Sequence, residues 1–228
     1  MSDLLRLLST AVLATAPALA TAAPLANGSL ESAAAGYIET VSANTTANGW
    51  TVSGAGIEYV KAGYSGAGDT VGAASDGLWF VDLNGTQGPG TISQTFDTVA
   101  GQWYRIDYWM SGNAGPNGST SADGAKSLVA LWNGATADTA TYLHQSGDRW
   151  SNMRWEGHSF LVQAAAASST LGFRSTSTFY AEAGPFIDAI SVTAVPEPAE
   201  AAMWLAGLGM LAAAGRRRRH ARSDRAAA

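Results

Sequence analysis

The chain has 228 residues, enough for one large domain or two small ones, and 14% of them are charged. Its lack of cysteine excludes disulfide scaffolds, thiolate zinc sites, iron–sulfur clusters and cysteine nucleophiles. Residues 27–195 contain six basic and 14 acidic residues, a net charge of −8, whereas six of the 13 basic residues lie in the last 13 positions. Such an acidic body lacks the basic surface that binds a phosphate backbone, so nucleic acid is not an expected partner.

The N-terminus has the pattern of an export signal. An apolar run covers residues 4–20, and small residues follow at the spacing that a signal peptidase accepts. The alternative is an amphipathic first helix of the domain, which would have to end at Asn27. The pattern favours a signal peptide over residues 1–23, cleaved between Ala20 and Ala23, and therefore predicts signal peptidase as a processing partner.

Residues 24–194 are expected to form one all-β domain. They show no useful helical period, and short alternating or aromatic-rich runs are separated by turn dipeptides such as Asn48-Gly49 and Asn84-Gly85. About ten strands without intervening helices predict a sandwich or jelly roll. The predicted strands are Trp50–Ser53, Ile57–Lys61, Leu78–Leu83, Thr91–Phe96, Trp103–Ser111, Lys126–Trp132, Ala140–His144, Met153–Val162, Thr170–Ser175 and Phe186–Thr193.

The C-terminal segment combines three features. The motif Pro196-Glu197-Pro198 precedes an uncharged run over residues 201–214, which is followed by Arg216, Arg217, Arg218 and Arg219. A helix of 14 residues spans about 21 Å, less than the roughly 30 Å of a bilayer core. A buried terminal helix is the alternative, but a tryptophan at one boundary and arginines at the other favour a short apolar helix that associates transiently with a membrane.

These features, over residues 195–222, resemble the PEP-CTERM sorting tail of exported proteins from Gram-negative bacteria that also make extracellular polysaccharide. The resemblance implies that a membrane enzyme, exosortase, recognises and processes the tail, which we assign to residues 195–228. It also implies a final location in the cell envelope, on the cell surface or in the extracellular matrix.

A second resemblance covers most of residues 27–193. An ordered set of motifs is similar to the choice-of-anchor C family, which is related to plant cell-wall domains and galactose-binding-like jelly rolls. The resemblance implies a jelly-roll β-sandwich of eight to ten strands and association with carbohydrate. The motifs are Asn27-Gly28-Ser29-Leu30-Glu31, Gly49-Trp50-Thr51-Val52, Gly56-Ile57-Glu58-Tyr59-Val60, Val81-Asp82-Leu83-Asn84-Gly85, the stretch from Pro89 to Phe96, Gly101 with Tyr104, and the stretch from Gly184 to Val192.

Tryptophans provide the candidate carbohydrate contacts. An exposed indole can stack on the C–H face of a sugar while a neighbouring polar group binds its hydroxyls. The run from Trp103 to Met110 predicts a strand with Tyr104, Ile106, Tyr108 and Met110 in the core. Trp50 and Trp79 fit core positions. The candidate site residues have polar neighbours or are themselves polar, and they are Trp109, Arg105, Asp107, Trp132, Trp150 and Trp155.

The second resemblance also suggests a metal site. In jelly rolls of the galactose-binding type the terminal strands lie side by side and often share a calcium ion, for which Asn27, Glu31 and Asp188 would supply oxygen ligands. A pair of ordinary surface carboxylates is the equal alternative. No cofactor is required by the sequence, so a structural calcium ion is the single candidate.

Enzymatic activity has little support in the sequence. Outside the tail there are two histidines, His144 and His158, and they are not spaced as a metal-binding pair. We therefore predict an exported, non-enzymatic protein that associates with extracellular polysaccharide. A structural matrix protein without a sugar site and, less favoured, a glycan-active hydrolase are the alternatives.

Overall fold

The computed structural model describes residues 25–196 and 206–211. The predicted signal peptide, Glu197, Pro198 and the arginine block Arg216–Arg219 lie outside these residues. Fifteen strands are present within them. Their bounds are β1 Ile38–Val41, β2 Thr45–Ala47, β3 Trp50–Gly54, β4 Ile57–Lys61, β5 Ser65–Gly66, β6 Asp69–Thr70, β7 Trp79–Asp82, β8 Asn84–Gly85, β9 Gly88–Asp97, β10 Trp103–Gly112, β11 Ala125–Trp132, β12 Ala135–Leu143, β13 Glu156–Gln163, β14 Ser168–Ser175 and β15 Pro185–Val195.

Two large antiparallel sheets pack face to face. Sheet A has the order β1-β4-β7-β15-β10-β13, and sheet B has the order β12-β11-β14-β9-β3-β2. From β9 onward most connections cross from one sheet to the other, because β10, β13 and β15 belong to sheet A while β9, β11, β12 and β14 belong to sheet B. The predicted all-β jelly-roll sandwich is confirmed.

The core lies between the inner faces of the two sheets. Trp50 and Trp79 are 0% and 2% exposed and belong to this core, as predicted. Alternate side chains of β10, namely Tyr104, Ile106, Tyr108 and Met110, face the same interior. With no disulfide, the packing of this one interior is the main stabilising contribution to the domain.

A second, smaller apolar cluster lies outside the sandwich, on the outer face of sheet A. Its buried members are Val60, Val71, Phe80 and Phe186. Residues 62–76 and 144–155 cover them, with Tyr64, Trp150, Met153 and Trp155 packed against the cluster. We call this the outer cluster. It leaves the part of the outer face formed by β10 and β13 uncovered.

Turn chemistry follows the sequence at most positions. Asn48, Asn117 and Asn133 each adopt a positive φ, and each is followed by a glycine with positive φ. Asn84-Gly85 is different: it forms β8, which pairs with residues 88–89, and both of its residues are buried. The turn predicted at Asn84 is therefore wrong.

In the tail, Val195 ends β15, and residues 206–211 are helical. Among the described residues, no helix reaches the length and hydropathy that crossing a bilayer would require.

Candidate functional site

Strand β10 has the two faces that its sequence predicts. Tyr104, Ile106 and Met110 are buried between the sheets. On the opposite face Trp103 and Trp109 are each 43% exposed, which is unusual for the largest apolar side chain. The alternation places the two indoles, six residues apart on one strand, about 20 Å from each other along the outer face.

An ion pair lies between these two indoles. Arg105 Nε donates a hydrogen bond of 2.8 Å to Asp107 Oδ2, and both side chains remain open to solvent. Three of the residues predicted to contact sugar, Trp109, Arg105 and Asp107, are thus side by side on one surface. We call the surface formed by Trp103, Arg105, Asp107 and Trp109 the outer strip.

Neighbouring strands complete a flat surface around the outer strip. Strand β13 places Gly157 opposite Trp109 and the exposed Leu161 opposite Arg105. A side chain at Gly157 would contact the indole of Trp109, so glycine keeps that ring accessible. Strand β15 adds the hydroxyl side chains Ser191 and Thr193 on the other side. The surface is apolar at its two ends and hydrogen-bonding in between.

Trp132 is a core residue, which corrects its assignment as an exposed platform. It is 9% exposed, its ring lies 6.0 Å from that of Phe96, and Nε1 donates to the carbonyl of Gln163. The physical reason is strand alternation: Leu128 and Ala130 on β11 point into the sandwich, and Trp132 shares their face.

Trp155 is half-buried and holds a loop in place. Its ring packs edge-on against Phe80 at 5.5 Å, and Nε1 donates to the carbonyl of Ala73. These contacts tie residues 62–76 to the outer cluster. Trp155 therefore packs against the outer cluster and is not part of the outer strip.

Trp150 lies at one end of the sandwich, in a cleft between loops. Two adjoining cavities of about 440 and 250 Å³ share Asn113, Trp150 and Glu182. The larger cavity is within the range of roughly 300–1,000 Å³ that is usual for ligand sites. We call the pair the loop-end cleft. Its other lining residues include Pro116, Ser119, Thr120, Tyr180, Glu58, Tyr64, Asp82 and Phe186.

The loop-end cleft is acidic. Burial raises the pKa of Asp82 to about 7, although its carboxylate accepts hydrogen bonds from Asn84, Asn113 and Gly184. Burial also raises the pKa of Glu58. None of the residues that line the two cavities in the described structure is a lysine, arginine or histidine.

The side chains of the residues proposed as calcium ligands accept hydrogen bonds from backbone N–H groups. Asn27 Oδ1 accepts the backbone N–H of Glu31, and Glu31 Oε1 accepts the N–H groups of Leu78 and Trp79. Asp188 accepts N–H groups from Asp76 and from Ala189. Each of the three side chains therefore already has at least one protein N–H group as a partner. In the described residues no group of three or more His, Asp or Glu side chains is arranged to hold a metal. Calcium binding itself stays a prediction.

A buried charged cluster behind the loop-end cleft was not anticipated from sequence. Lys126 is fully buried and donates to the carbonyl of Thr120 and to Asp123. The side chain of His144, 3% exposed, lies 3.6 Å from Asp123 and 3.8 Å from Asp148. Burial lowers the pKa of His144. The cluster ties residues 113–124, which supply five of the ten residues that line the larger cavity, to residues 144–155, which supply Trp150.

The fold and these surfaces define a jelly-roll domain with an open aromatic surface on one sheet and a cleft between loops at one end. Comparison with protein families gives a more specific assignment. Residues 23–193 match the family described as "Protein of unknown function (DUF642)", and the chain belongs to that family. Residues 194–219 match the PEP-CTERM protein-sorting motif. Membership of the choice-of-anchor C family stays a prediction.

No curated protein matches the chain. Among solved structures, it is similar to TmCBM61 in complex with beta-1,4-galactotriose, with 18% identity, a TM-score of 0.42 and coverage of 64% of this chain and 88% of that one. It is similar to a cyclase from Fischerella sp. TAU, with 15% identity, a TM-score of 0.49 and coverage of 78% and 98%. A family 35 carbohydrate binding module from Clostridium thermocellum has 11% identity, a TM-score of 0.40 and coverage of 69% and 98%.

Proposed function

We propose that this protein is exported, sorted by an exosortase-type enzyme, and binds extracellular polysaccharide without chemically changing it. The sorting motif over residues 194–219 begins at the end of the last strand, β15, and supports the first part. Signal peptidase and the sorting enzyme are then its processing partners, and the tail associates with the membrane only transiently. The location that follows is the envelope, surface or extracellular matrix of a Gram-negative bacterium.

The observation that carries the binding proposal is the outer strip. Two half-exposed indoles on one strand flank an ion pair on an open, flat surface. An extended glycan lying along β10 would stack on Trp109 and Trp103 while Arg105 and Asp107 bind its hydroxyl groups. The length of the strip, about 20 Å, matches a chain of several sugar units better than a single sugar.

The affinity of one strip for one glycan is expected to be weak. A stacked aromatic pair contributes about 0.5–1.5 kcal/mol beyond the area that it buries. A polymer that carries many equivalent sites compensates for this weak affinity. Several protein molecules, or several positions along one glycan chain, then bind at the same time. A weak site is therefore suited to holding a protein within a polysaccharide matrix.

The test of this function is retention of the processed protein in polysaccharide affinity gels. Trp109→Ala should reduce retention by a factor of about two to twelve, the loss of one stacking contact. Because Trp109 is nearly half exposed, the variant should keep its melting temperature. Tyr37→Ala is the matched control, since it removes an aromatic ring that is 51% exposed elsewhere on the surface. Unchanged retention of a folded Trp109→Ala protein would favour the structural-matrix alternative, and release of reducing sugar would favour the hydrolase.

A further inference from the structure

The loop-end cleft has a chemistry different from that of the outer strip. We propose that it is a second binding site, which takes a short oligosaccharide bearing free amino groups, such as a glucosamine oligomer. This inference does not depend on glycan binding by the outer strip, because the two surfaces share no residue. Rigidity, hydrogen-bonding groups and charge in the cleft each support it.

Trp150 is held rigidly at the centre of the cleft. Its Nε1 donates a hydrogen bond of 2.9 Å to Asn113 Oδ1, its backbone N–H donates to Gly115, and its carbonyl accepts from Gly72. The ring of Tyr64 packs against it at 5.5 Å. An aromatic side chain fixed in advance loses little entropy when a ligand stacks on it, which favours binding.

The polar groups around Trp150 are also fixed. Asn113 Nδ2 donates to the buried Asp82, so the amide that orients Trp150 is itself oriented. Thr120 Oγ1 donates to the carbonyl of Asn113 and, like Ser119, lines the larger cavity. A rigid aromatic ring beside hydroxyl and amide groups provides both kinds of contact that a sugar needs.

The negative charge of the cleft favours amino sugars over acidic sugars. The exposed Glu182 lines both cavities and Glu58 lines the smaller one, and no basic residue lines either of them in the described structure. The negative charge available to a ligand comes from these two glutamates, because Asp82 is buried and its carboxyl group already accepts protein hydrogen bonds. The nearest described cation against a lining ring is Lys126, 5.1 Å from the centroid of Tyr180, and Asp123 pairs with it. A uronic acid would be repelled here, whereas an ammonium group would gain a favourable interaction.

The experiment titrates the processed protein with three trimers of similar size: glucosamine, N-acetylglucosamine and galacturonic acid. Binding is followed by calorimetry and by the Nε1–H resonance of Trp150 in an NMR spectrum. We expect the glucosamine trimer to bind about tenfold more tightly than the N-acetylated trimer, which corresponds to about 1.4 kcal/mol. The galacturonic acid trimer should not bind, and the Trp150 resonance should shift with glucosamine.

Two matched variants distinguish binding in the cleft from nonspecific electrostatic attraction between a cationic sugar and an acidic protein. Glu182→Gln removes one exposed charge from the cleft and should weaken binding about fivefold, as for a ligand ion pair near the surface. Asp97→Asn removes an exposed charge from the end of β9 and should change affinity less than twofold. Equal losses in both variants, equal affinity for the acetylated and free trimers, or an unshifted Trp150 resonance would overturn the proposal. Trp109→Ala should not affect this titration even if it abolishes retention by polysaccharide.

Discussion

Two buried aspartates distinguish this domain at the scale of single residues. Asp82 and Asp188 are 1% and 0% exposed, and neither forms a salt bridge with a described residue. Backbone N–H groups are their main partners, but burial outweighs these hydrogen bonds and raises the pKa of each carboxyl group to about 7. Both carboxyl groups should therefore change charge close to neutral pH.

We predict that protonated Asp188 stabilises the fold at low pH. Its pKa is raised on folding, so the native state binds the proton more tightly and the free energy of unfolding falls as pH increases from about 4 to about 7. Relative to Asp188→Asn, the wild type should lose on the order of 2–4 kcal/mol over this range, because each tenfold change in proton affinity contributes about 1.4 kcal/mol. The lowered pKa of His144 makes the free energy of unfolding rise with pH. Because this effect is the same in both proteins, it cancels from the comparison.

Urea unfolding of the two proteins at several pH values, with an NMR titration of the carboxyl carbons, measures this effect. An Asp188 carboxyl group that titrates near 4, with parallel pH profiles for the two proteins, would contradict the prediction.

The tryptophans show how far residue-level sequence reasoning extends. Alternation along β10 correctly predicts the exposure of Trp109, because a long strand with one apolar face fixes the direction of every side chain. The same rule applied from Leu128 places Trp132 in the core, whereas its polar neighbour Asn133 suggests an exposed position and is misleading. Trp150 and Trp155 lie in an irregular segment, where no period exists, so their packing against the outer cluster follows only from the tertiary fold.

At the scale of elements, one loop is held by side chains from both ends of the domain. Glu31 accepts backbone N–H groups from Leu78 and Trp79, and Asp188 accepts that of Asp76. Gly77 between them has a φ of +64°, and a Cβ atom there would collide with the Glu31 carboxylate. These contacts join the N-terminal segment, residues 75–79 and β15 in the way that a bound ion was expected to join the two ends.

Removal of this carboxylate should therefore destabilise the domain without any role for a metal. Glu31→Ala removes the acceptor of two backbone N–H groups, at Leu78 and Trp79, and should cost about 1–3 kcal/mol in the free energy of unfolding. Glu31→Gln keeps an acceptor oxygen and should cost less. The destabilisation caused by Glu31→Ala should be the same with and without a metal chelator. A fall in the wild-type melting temperature on chelation, which added calcium reverses and Glu31→Gln abolishes, would instead establish the calcium site.

Strand prediction succeeded where strands are long. All ten predicted strands overlap observed ones, and the bounds of β4 agree at both ends. The missed strands, β1, β2, β5, β6 and β8, have two to four residues, which is too short for a period of two to stand out. The pairing of the strands and the loops that cover the outer cluster depend on contacts between distant residues, which no local pattern encodes.

At the scale of the whole molecule, the loop-end cleft and the point where the sorting tail begins lie at opposite ends of β15. Strand β15 begins at Pro185, beside the cleft residue Phe186, and ends at Val195, which pairs with Trp103. Eleven residues of strand span about 36 Å. A domain held at the membrane by its tail would therefore present the cleft away from the membrane, with the outer strip running between the two ends.

Processing of the tail should leave this arrangement intact. We expect the protein recovered from the cell surface to lack both the signal peptide and the arginine block that ends the sorting motif, as measured by its intact mass. The β-sandwich should remain whole, because cleavage beyond Val195 removes no strand. Recovery outside the cell of a species that still contains Arg216–Arg219 would contradict sorting by cleavage.

Binding to the polysaccharide that the producing cells themselves secrete tests the central claim most directly. The processed protein would be mixed with this purified polymer and sedimented, and the bound fraction measured against polymer concentration. We predict saturable binding by the wild type and its loss in a Trp103→Ala, Trp109→Ala double variant that still melts cooperatively. Failure of the folded wild type to sediment at any polymer concentration, or equal binding by the double variant, would contradict polysaccharide binding through the outer strip.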